Sequence, residues 1–412
     1  MPEQVVPGFV HMQNGRLLRV KSGTAEDAES YAGAHGVSLE RERLVMSPGL
    51  VDTHVHLSPL NRTWEGFTSG TMAAVAGGVT TLVLMPLNSL PPTTTVHALN
   101  LEREAAAAAS LYADVGFWAG VVPGNIDALE ELLGAGVFGI KAFLSPLPAS
   151  AGFEAVSPDE LRRAAAQIAE SGLPLLVHAE LMTIEESSSL VQAEGGSTRS
   201  FSTFLKTRPR EFEQRAHRAL VEILDSQPGL HVHIVHLSDA THLGYLSAQQ
   251  ARLGKDRLTV ETCPHYLLLA AEAIPDGDTR FKCFPPIREG WNRQLLLEGL
   301  LNGTISTIAS DHSPCETPMR ELASGDFFKA WAGLSALQTS LPATWESLLP
   351  SMSREDALRN LAKWWSEEPA NLAGLSLKGR IADGFDADVI LWDPDEMILH
   401  ERMFHRHEGS AY

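Results

Sequence analysis

Cysteine is scarce in this chain. Only Cys263, Cys283 and Cys315 occur in 412 residues, an odd set with no metal-knuckle spacing. That excludes a disulfide framework and fits reduced thiols in a cytosolic setting. Long apolar runs are missing too: nothing approaches the roughly 18 residues of a membrane span, so no membrane partner is expected. Met1-Pro2-Glu3-Gln4 lacks the basic start and apolar core of a signal peptide, and Ser410-Ala411-Tyr412 matches no peroxisomal or ER address. A cytoplasmic location is the expectation. Positive charge is likewise short, with 32 Lys and Arg against 51 Asp and Glu, a formal net charge of −19. Nucleic-acid binding needs a basic footprint and is not expected; the acidity itself implies a self-repelling, soluble surface.

What the chain does have is alternation. From about residue 50 to 370, β-branched runs alternate with helix-like segments. Strands are predicted at Val79–Met85, Val115–Val121, Gly139–Phe143, Leu173–His178, Val232–His236, Leu258–Thr262 and Ile305–Ser310. Helices are predicted at Leu99–Leu111, Ile126–Ala135, Pro158–Ser171, Gln214–Asp225 and Trp291–Asn302. Pro158 behind Ser157 reads as the first helical residue after an N-cap. With the strand that carries His54 and His56, the count is eight. Eight strands alternating with helices or long loops predict an α/β fold with a (β/α)8 TIM-like barrel over residues 47–375. The flanks, 1–46 and 376–412, hold strand-like Gly15–Val20 and Val389–Trp392, the latter behind turn chemistry at Lys378–Asp388. They are expected to pair as a small β-sandwich-type domain beside the barrel.

The most specific local signal is Val51-Asp52-Thr53-His54-Val55-His56-Leu57, straight after Ser47-Pro48-Gly49. Side chains alternate along a strand, so His54 and His56 share a face and can share a metal ion. Lys141, His178, His236 and Asp311 close four other apolar runs. In a barrel the C-terminal strand ends meet at one face, which would gather four imidazoles, a carboxylate and a lysine in one cup. Imidazole and carboxylate suit zinc, with manganese or cobalt able to use the same set. Five such ligands exceed the need of one catalytic ion with an open position, so two divalent ions are expected. An ammonium at Lys141 would repel them. If burial and the metal charges lower its pKa, the free amine can react with carbon dioxide, and the carbamate can bridge two ions.

Each residue has an ordinary alternative. A lone histidine after a strand is more often a hydrogen-bonded core residue, a lone lysine snorkels, and a lone Asp311 could be an N-cap. Those alternatives must hold together at five strand ends, and the ligand reading is preferred. His233 has the opposite parity to His236 and is expected to face away from it. His97, His217, His242, His400, His405 and His407 read as surface residues, His265 and His312 as groups that orient ligands, and Trp364-Trp365 as packing.

In this order, the strand-end residues resemble the amidohydrolase superfamily, specifically its cyclic-amide hydrolases, over about residues 47–412. Several phrases are similar to the allantoinase group within it. They include Trp64-Glu65-Gly66-Phe67, Met85-Pro86-Leu87-Asn88-Ser89, Leu205-Lys206-Thr207-Arg208-Pro209, Val235-His236-Leu237-Ser238-Asp239-Ala240, Val260–Leu267, Gly277–Cys283 with Pro285-Pro286-Ile287-Arg288, and Lys329-Ala330-Trp331. The resemblance implies His54, His56 and Asp311 on one ion, His178 and His236 on the other, and carboxylated Lys141 with a hydroxide bridging. It also implies hydrolysis of the hydantoin ring of allantoin to allantoate in purine catabolism, with Asp311 as general base then acid, and a homo-oligomer. Asn88, Ser313 and Cys283 are the candidate contacts to this uncharged cyclic ureide.

The chain departs from the family after His56. Ser58-Pro59-Leu60-Asn61-Arg62 stands where a Glu-Pro-Gly-Arg-like phrase is usual, Phe284 replaces a small residue, and Ala332 replaces glycine. Dihydroorotases carry an arginine at the position of Ser58, so a carboxylated ring loses its obvious partner here, with Arg62 a less direct substitute. Dihydropyrimidinases and hydantoinases share the ligands and are the alternative; a non-catalytic scaffold is the third reading.

Overall fold

The computed structural model describes residues 5–40, 44–396 and 403–407. Met1 to Gln4, His400 and Ser410 to Tyr412 lie outside the described residues. The N-terminal flank contributes β1 (Gly8–Gln13), β2 (Arg16–Ser22) and β3 (Val45–Pro48). The Asn14-Gly15 turn joins β1 to β2, with φ of 52° and 73°, the positive values that a two-residue type I′ hairpin turn needs. The barrel strands follow as β4 (Leu50–Val55), β5 (Val79–Leu84), β6 (Asp114–Phe117), β7 (Ala119–Gly120), β8 (Ile140–Phe143) and β9 (Leu175–His178). They continue with β10 (Val232–Ile234), β11 (Leu258–Thr262) and β12 (Thr307–Ile308), and β13 (Val389–Trp392) ends the series.

Two parallel runs make the barrel, β4-β5-β6 and β7-β8-β9-β10-β11-β12. β6 and β7 are two halves of the single strand predicted at 115–121. Trp118 parts them, its backbone N–H donating to Leu84 O at 2.9 Å and its indole N–H to Thr53 O at 2.8 Å. The ring closes where His56 N–H donates to His312 O at 2.8 Å. Counting β6 and β7 as one, the fold is a (β/α)8 barrel. Val83, Trp118, Phe143, Leu176 and Val235 fill its interior, while Leu82, Ile140, Leu175, Val232 and Val260 pack outward against helices.

The helix Pro158–Ser171 shows how locally this is written. The Ser157 hydroxyl accepts from Glu160 N–H, Glu160 caps back, and Gly172 closes the helix at φ 71°. Leu161, Ala164, Ala165 and Ile168 form its buried stripe at the helical repeat. The flanks meet beside the barrel: β3 pairs antiparallel with β13, and Leu17 N–H donates to Phe385 O at 2.8 Å. Trp364 and Trp365 are buried, and the Trp365 indole donates to the Thr344 hydroxyl at 3.0 Å. Among the described residues no helix is long and apolar enough to cross a membrane.

Several histidines are placed differently from the sequence expectation. His233 does not face away from His236: it points into the barrel, with Nε2 3.5 Å from Glu261. The strand stops at Ile234 and His236 takes φ 42°, so alternation is broken and both rings reach the interior. His405 is buried, its ring 5.0 Å from that of His312. His217 and His242 are buried as well, with their Nδ1 atoms 2.9 Å apart. Helix Glu211–Ser226 turns His217 inward with Glu213, Ala216 and Leu220 despite its charged neighbours.

That burial, aided by His242, pushes the His217 imidazole down from 6.5 to about 3. The unfolded chain therefore binds a proton between those values that the folded chain does not. Stability from this residue is complete above pH 6.5 and falls as pH drops towards 3. At pH 5 the loss is roughly 2 kcal/mol. We expect His217→Gln, which keeps a hydrogen-bonding group beside His242, to flatten the acid limb of the stability curve; thermal melts from pH 7 to pH 4 check it.

Candidate metal centre

Five barrel strands deliver their side chains to one place, His54, Lys141 and His178 from within regular strands and His236 and Asp311 from turns just beyond them. His236 and Asp311 adopt left-handed backbone, with φ of 42° and 46°, as do Ser58 and Asn88 at 48° and 67°. For non-glycine residues such values cost energy and cluster at functional sites. His54 and His56 share a face, with Nε2 atoms 3.4 and 3.5 Å from Asp311 Oδ1. Ligand atoms of His54, His56 and Asp311 all lie within 4.8 Å of one another. The His236 ring stands 5.2 Å from that of His54 and 4.5 Å from that of His178. Phe143 stacks on His178 at 4.7 Å, and the Lys141 ammonium sits 5.0 Å from the Phe143 ring.

All six groups are buried. Burial pushes the His56 imidazole down to about 4 and the His236 imidazole well below its usual value, so both are neutral lone-pair donors near pH 7. Burial pushes the Lys141 ammonium down from 10.5 to about 7, with Glu261 and Asp311 acting against it. The Lys141 Nζ has no hydrogen-bond partner, nor does His236 Nδ1. Burial raises the Asp311 carboxyl, but the imidazoles of His54, His56 and His236 outweigh it and hold it well below the carboxylate range.

Four carboxylates missed from sequence complete the surroundings. Glu261 Oε1 lies 2.7 Å from His54 Nδ1 and accepts His236 N–H at 3.0 Å. Glu180 Oε2 lies 2.9 Å from His178 Nε2. His54 therefore turns Nε2 to the centre, and His178 is left with Nδ1. Asp52 Oδ1 accepts the N–H groups of His54 and Ser310, each at 3.2 Å, and ties the first strand to the last. Glu65 Oε2 lies 3.5 Å from His312 Nε2. A signal existed for two of them: Glu180 has the parity of His178, and Glu261 is a charge inside the apolar run of β11.

These orphaned atoms test the fit of metal ions. His54, His56 and Asp311 are the one group of three or more His, Cys, Asp or Glu ligands among the described residues. His178 and His236 lack a third such ligand, and the unpartnered amine of Lys141 stands beside them. An anionic donor at that nitrogen would complete the second set, so the residues fit a two-ion centre. Asn88 Nδ2 is 3.5 Å from His56 Nδ1. The Ser313 hydroxyl donates to Asp311 Oδ1 at 2.9 Å. Cys283 is fully buried in the apolar core beside Tyr266. His265 is buried with neither ring nitrogen partnered, and its imidazole is pushed down by burial to about 4.

Comparison with known proteins matches the chain to one family. The Amidohydrolase family matches residues 45–407. Allantoinase of Arabidopsis thaliana is 41% identical over 404 residues, covering 96% of this chain and 78% of its own length. Allantoinase of Streptomyces avermitilis is 42% identical over 416 residues, covering 100% of this chain and 88% of its own length. Among solved structures, the L-hydantoinase (dihydropyrimidinase) from Arthrobacter aurescens superposes with a TM-score of 0.80 at 26% identity, covering 93% of this chain and 82% of that one.

Proposed function

The chain belongs to the amidohydrolase family, and from that premise we propose that it hydrolyses the ring amide of allantoin to allantoate, a step of purine catabolism. The observation that carries this is the convergence of His54, His56 and Asp311 within 4.8 Å of one another, next to His178, His236 and an unpartnered buried Lys141. In this reading residues 47–375 are the catalytic barrel, and 1–46 with 376–412 the small β domain. His54, His56 and Asp311 would hold one divalent ion, His178 and His236 the second, and the carbamate of Lys141 both; zinc is the first choice, with manganese or cobalt sharing the ligands.

When bound, such ions lower the pKa of water towards neutrality and polarise the amide carbonyl. Lys141 reaches its role because burial brings its pKa down to about 7, so that a large share of the amine is neutral at that pH. Its nitrogen can then bond to carbon dioxide and lose a proton. Asp311, kept as a carboxylate, takes the proton of the attacking water and returns it to the ring nitrogen as the C–N bond breaks. The Ser313 hydroxyl orients that carboxylate through its 2.9 Å hydrogen bond, and Asn88 offers a neutral amide to the ureide. The position where a carboxylated ring needs an arginine is Ser58, buried with no partner for its hydroxyl, and Arg62, the less direct substitute, lies over the Trp64 ring at 4.5 Å. The same reading includes a homo-oligomer, supported by exposed Ile184 and Trp291, and a cytoplasmic location, supported by three free cysteines.

The Arthrobacter aurescens likeness makes a hydantoinase the second reading. A panel of allantoin, hydantoin and dihydrouracil separates the two. We expect allantoin to lead in kcat/KM by about 10- to 200-fold, the discrimination a pocket of fixed shape gives. Metal-loaded protein that opens dihydrouracil and leaves allantoin untouched refutes the proposal.

A further inference from the structure

Two sets of buried groups brace the centre. Glu261 holds the ring of His54 at 2.7 Å and also accepts His236 N–H at 3.0 Å, so it touches both halves. Behind His178 and His236 stands a chain of charges that ring opening itself does not use. Glu180 binds His178 Nε2 at 2.9 Å and receives Arg208 through Nε at 3.1 Å and through Nη2. The Arg208 carbonyl accepts from Arg288 Nη1 at 2.9 Å. Arg288 Nη2 donates to Glu213 at 2.8 Å and its Nε to the Ser238 hydroxyl at 3.0 Å. Glu213 in turn accepts Ser238 N–H at 3.0 Å and Asp239 N–H at 3.1 Å, two and three residues past His236. Glu180, Arg208, Glu213 and Arg288 are all buried and sum to zero charge. The network therefore runs unbroken from the end of β9 to the end of β10.

A histidine presents one nitrogen to a metal according to what its other nitrogen binds. Glu180 occupies Nε2 of His178, which leaves Nδ1 for the ion. Glu213, by tying down the backbone after His236, acts together with the Glu261 bond to His236 N–H to hold the left-handed turn that aims the second ring. Arg208 also lies over Phe284 at 4.2 Å, which limits its freedom to leave Glu180.

We infer that Glu180, Arg208, Arg288 and Glu213 are positioning residues that set the affinity of the metal position built on His178 and His236, and not of the position built on His54, His56 and Asp311. This rests on the two-ion reading. Zinc binding measured by competition with a chelator tests it, with circular dichroism and thermal melting to report folding. The double variant Glu180→Leu with Arg208→Met removes both charges together, so no buried charge is stranded. His56→Asn marks which titration step belongs to which position. We expect the double variant to keep one ion at wild-type affinity and to bind the other roughly 10- to 100-fold more weakly. Glu180→Gln, which keeps shape, weakens the same step less and serves if the double variant does not fold. Unchanged affinity at both positions, or equal weakening of both in folded protein, overturns the inference. Wild-type protein that takes up fewer than two ions instead contradicts the two-ion reading.

Discussion

Replacing Lys141 by alanine is expected to cut allantoin turnover by on the order of 10²- to 10³-fold or more, the scale of losing one preorganised electrostatic element in a water-excluded site. It is also expected to lower bound metal from two ions to one or none. The reason is stereochemical. Lys141 is fully buried within β8, its amine has no hydrogen-bond partner, and the pair His178 and His236 has no third His, Cys, Asp or Glu among the described residues. A lysine there as a structural cation would be unfavourable, since burying an unpaired ammonium costs several kcal/mol. If that were its role, alanine would stabilise the fold and leave turnover intact. Steady-state kinetics with metal analysis on the same preparation separates the two outcomes, and melting temperature shows whether the variant folds.

Much of the site was legible in the sequence because metal ligation needs few residues at fixed parity. His54 and His56, two apart on β4, had to share a face, and they do, with ring centroids 5.7 Å apart. Lys141, His178 and Asp311 close apolar runs, and barrel topology brings those ends together. His236 does lie beside His54 and His178, but strand alternation alone does not put it there. Alternation assigned His233 the opposite side, but the ladder ends at Ile234 and the positive φ of His236 swings its ring back. No local pattern announces a left-handed histidine. Glu180 and Glu261 were overlooked because acidic residues at strand ends are ordinary in sequence; only the 2.9 and 2.7 Å contacts to His178 and His54 give them meaning. His217 and His242 were misplaced for a different reason. Arg215 and Arg218 flank His217 and suggest solvent, yet the helical repeat puts it among Glu213, Ala216 and Leu220 on the buried face. The eight-strand count needed β6 and β7 to be read as one, and Trp118 shows why they part: its N–H groups are drawn to Leu84 O and Thr53 O.

The second large effect concerns the ions themselves, and it tests the central claim most directly. Imidazole and carboxylate ligands must be deprotonated to bind, and here burial already holds His56 at about 4 and His236 well below its usual value, as neutral donors. Removing the ions leaves these groups in place but takes away the source of the nucleophile and of carbonyl polarisation, which no other group at the site replaces. Protein stripped with a chelator, then restored stepwise with zinc, manganese or cobalt in the presence of bicarbonate, is to be assayed on allantoin while bound metal is counted. We expect stripped protein to be inactive and activity to return fully only as the count reaches two ions per chain. Stripped protein that still opens allantoin, or protein loaded with two ions that does not, contradicts the account.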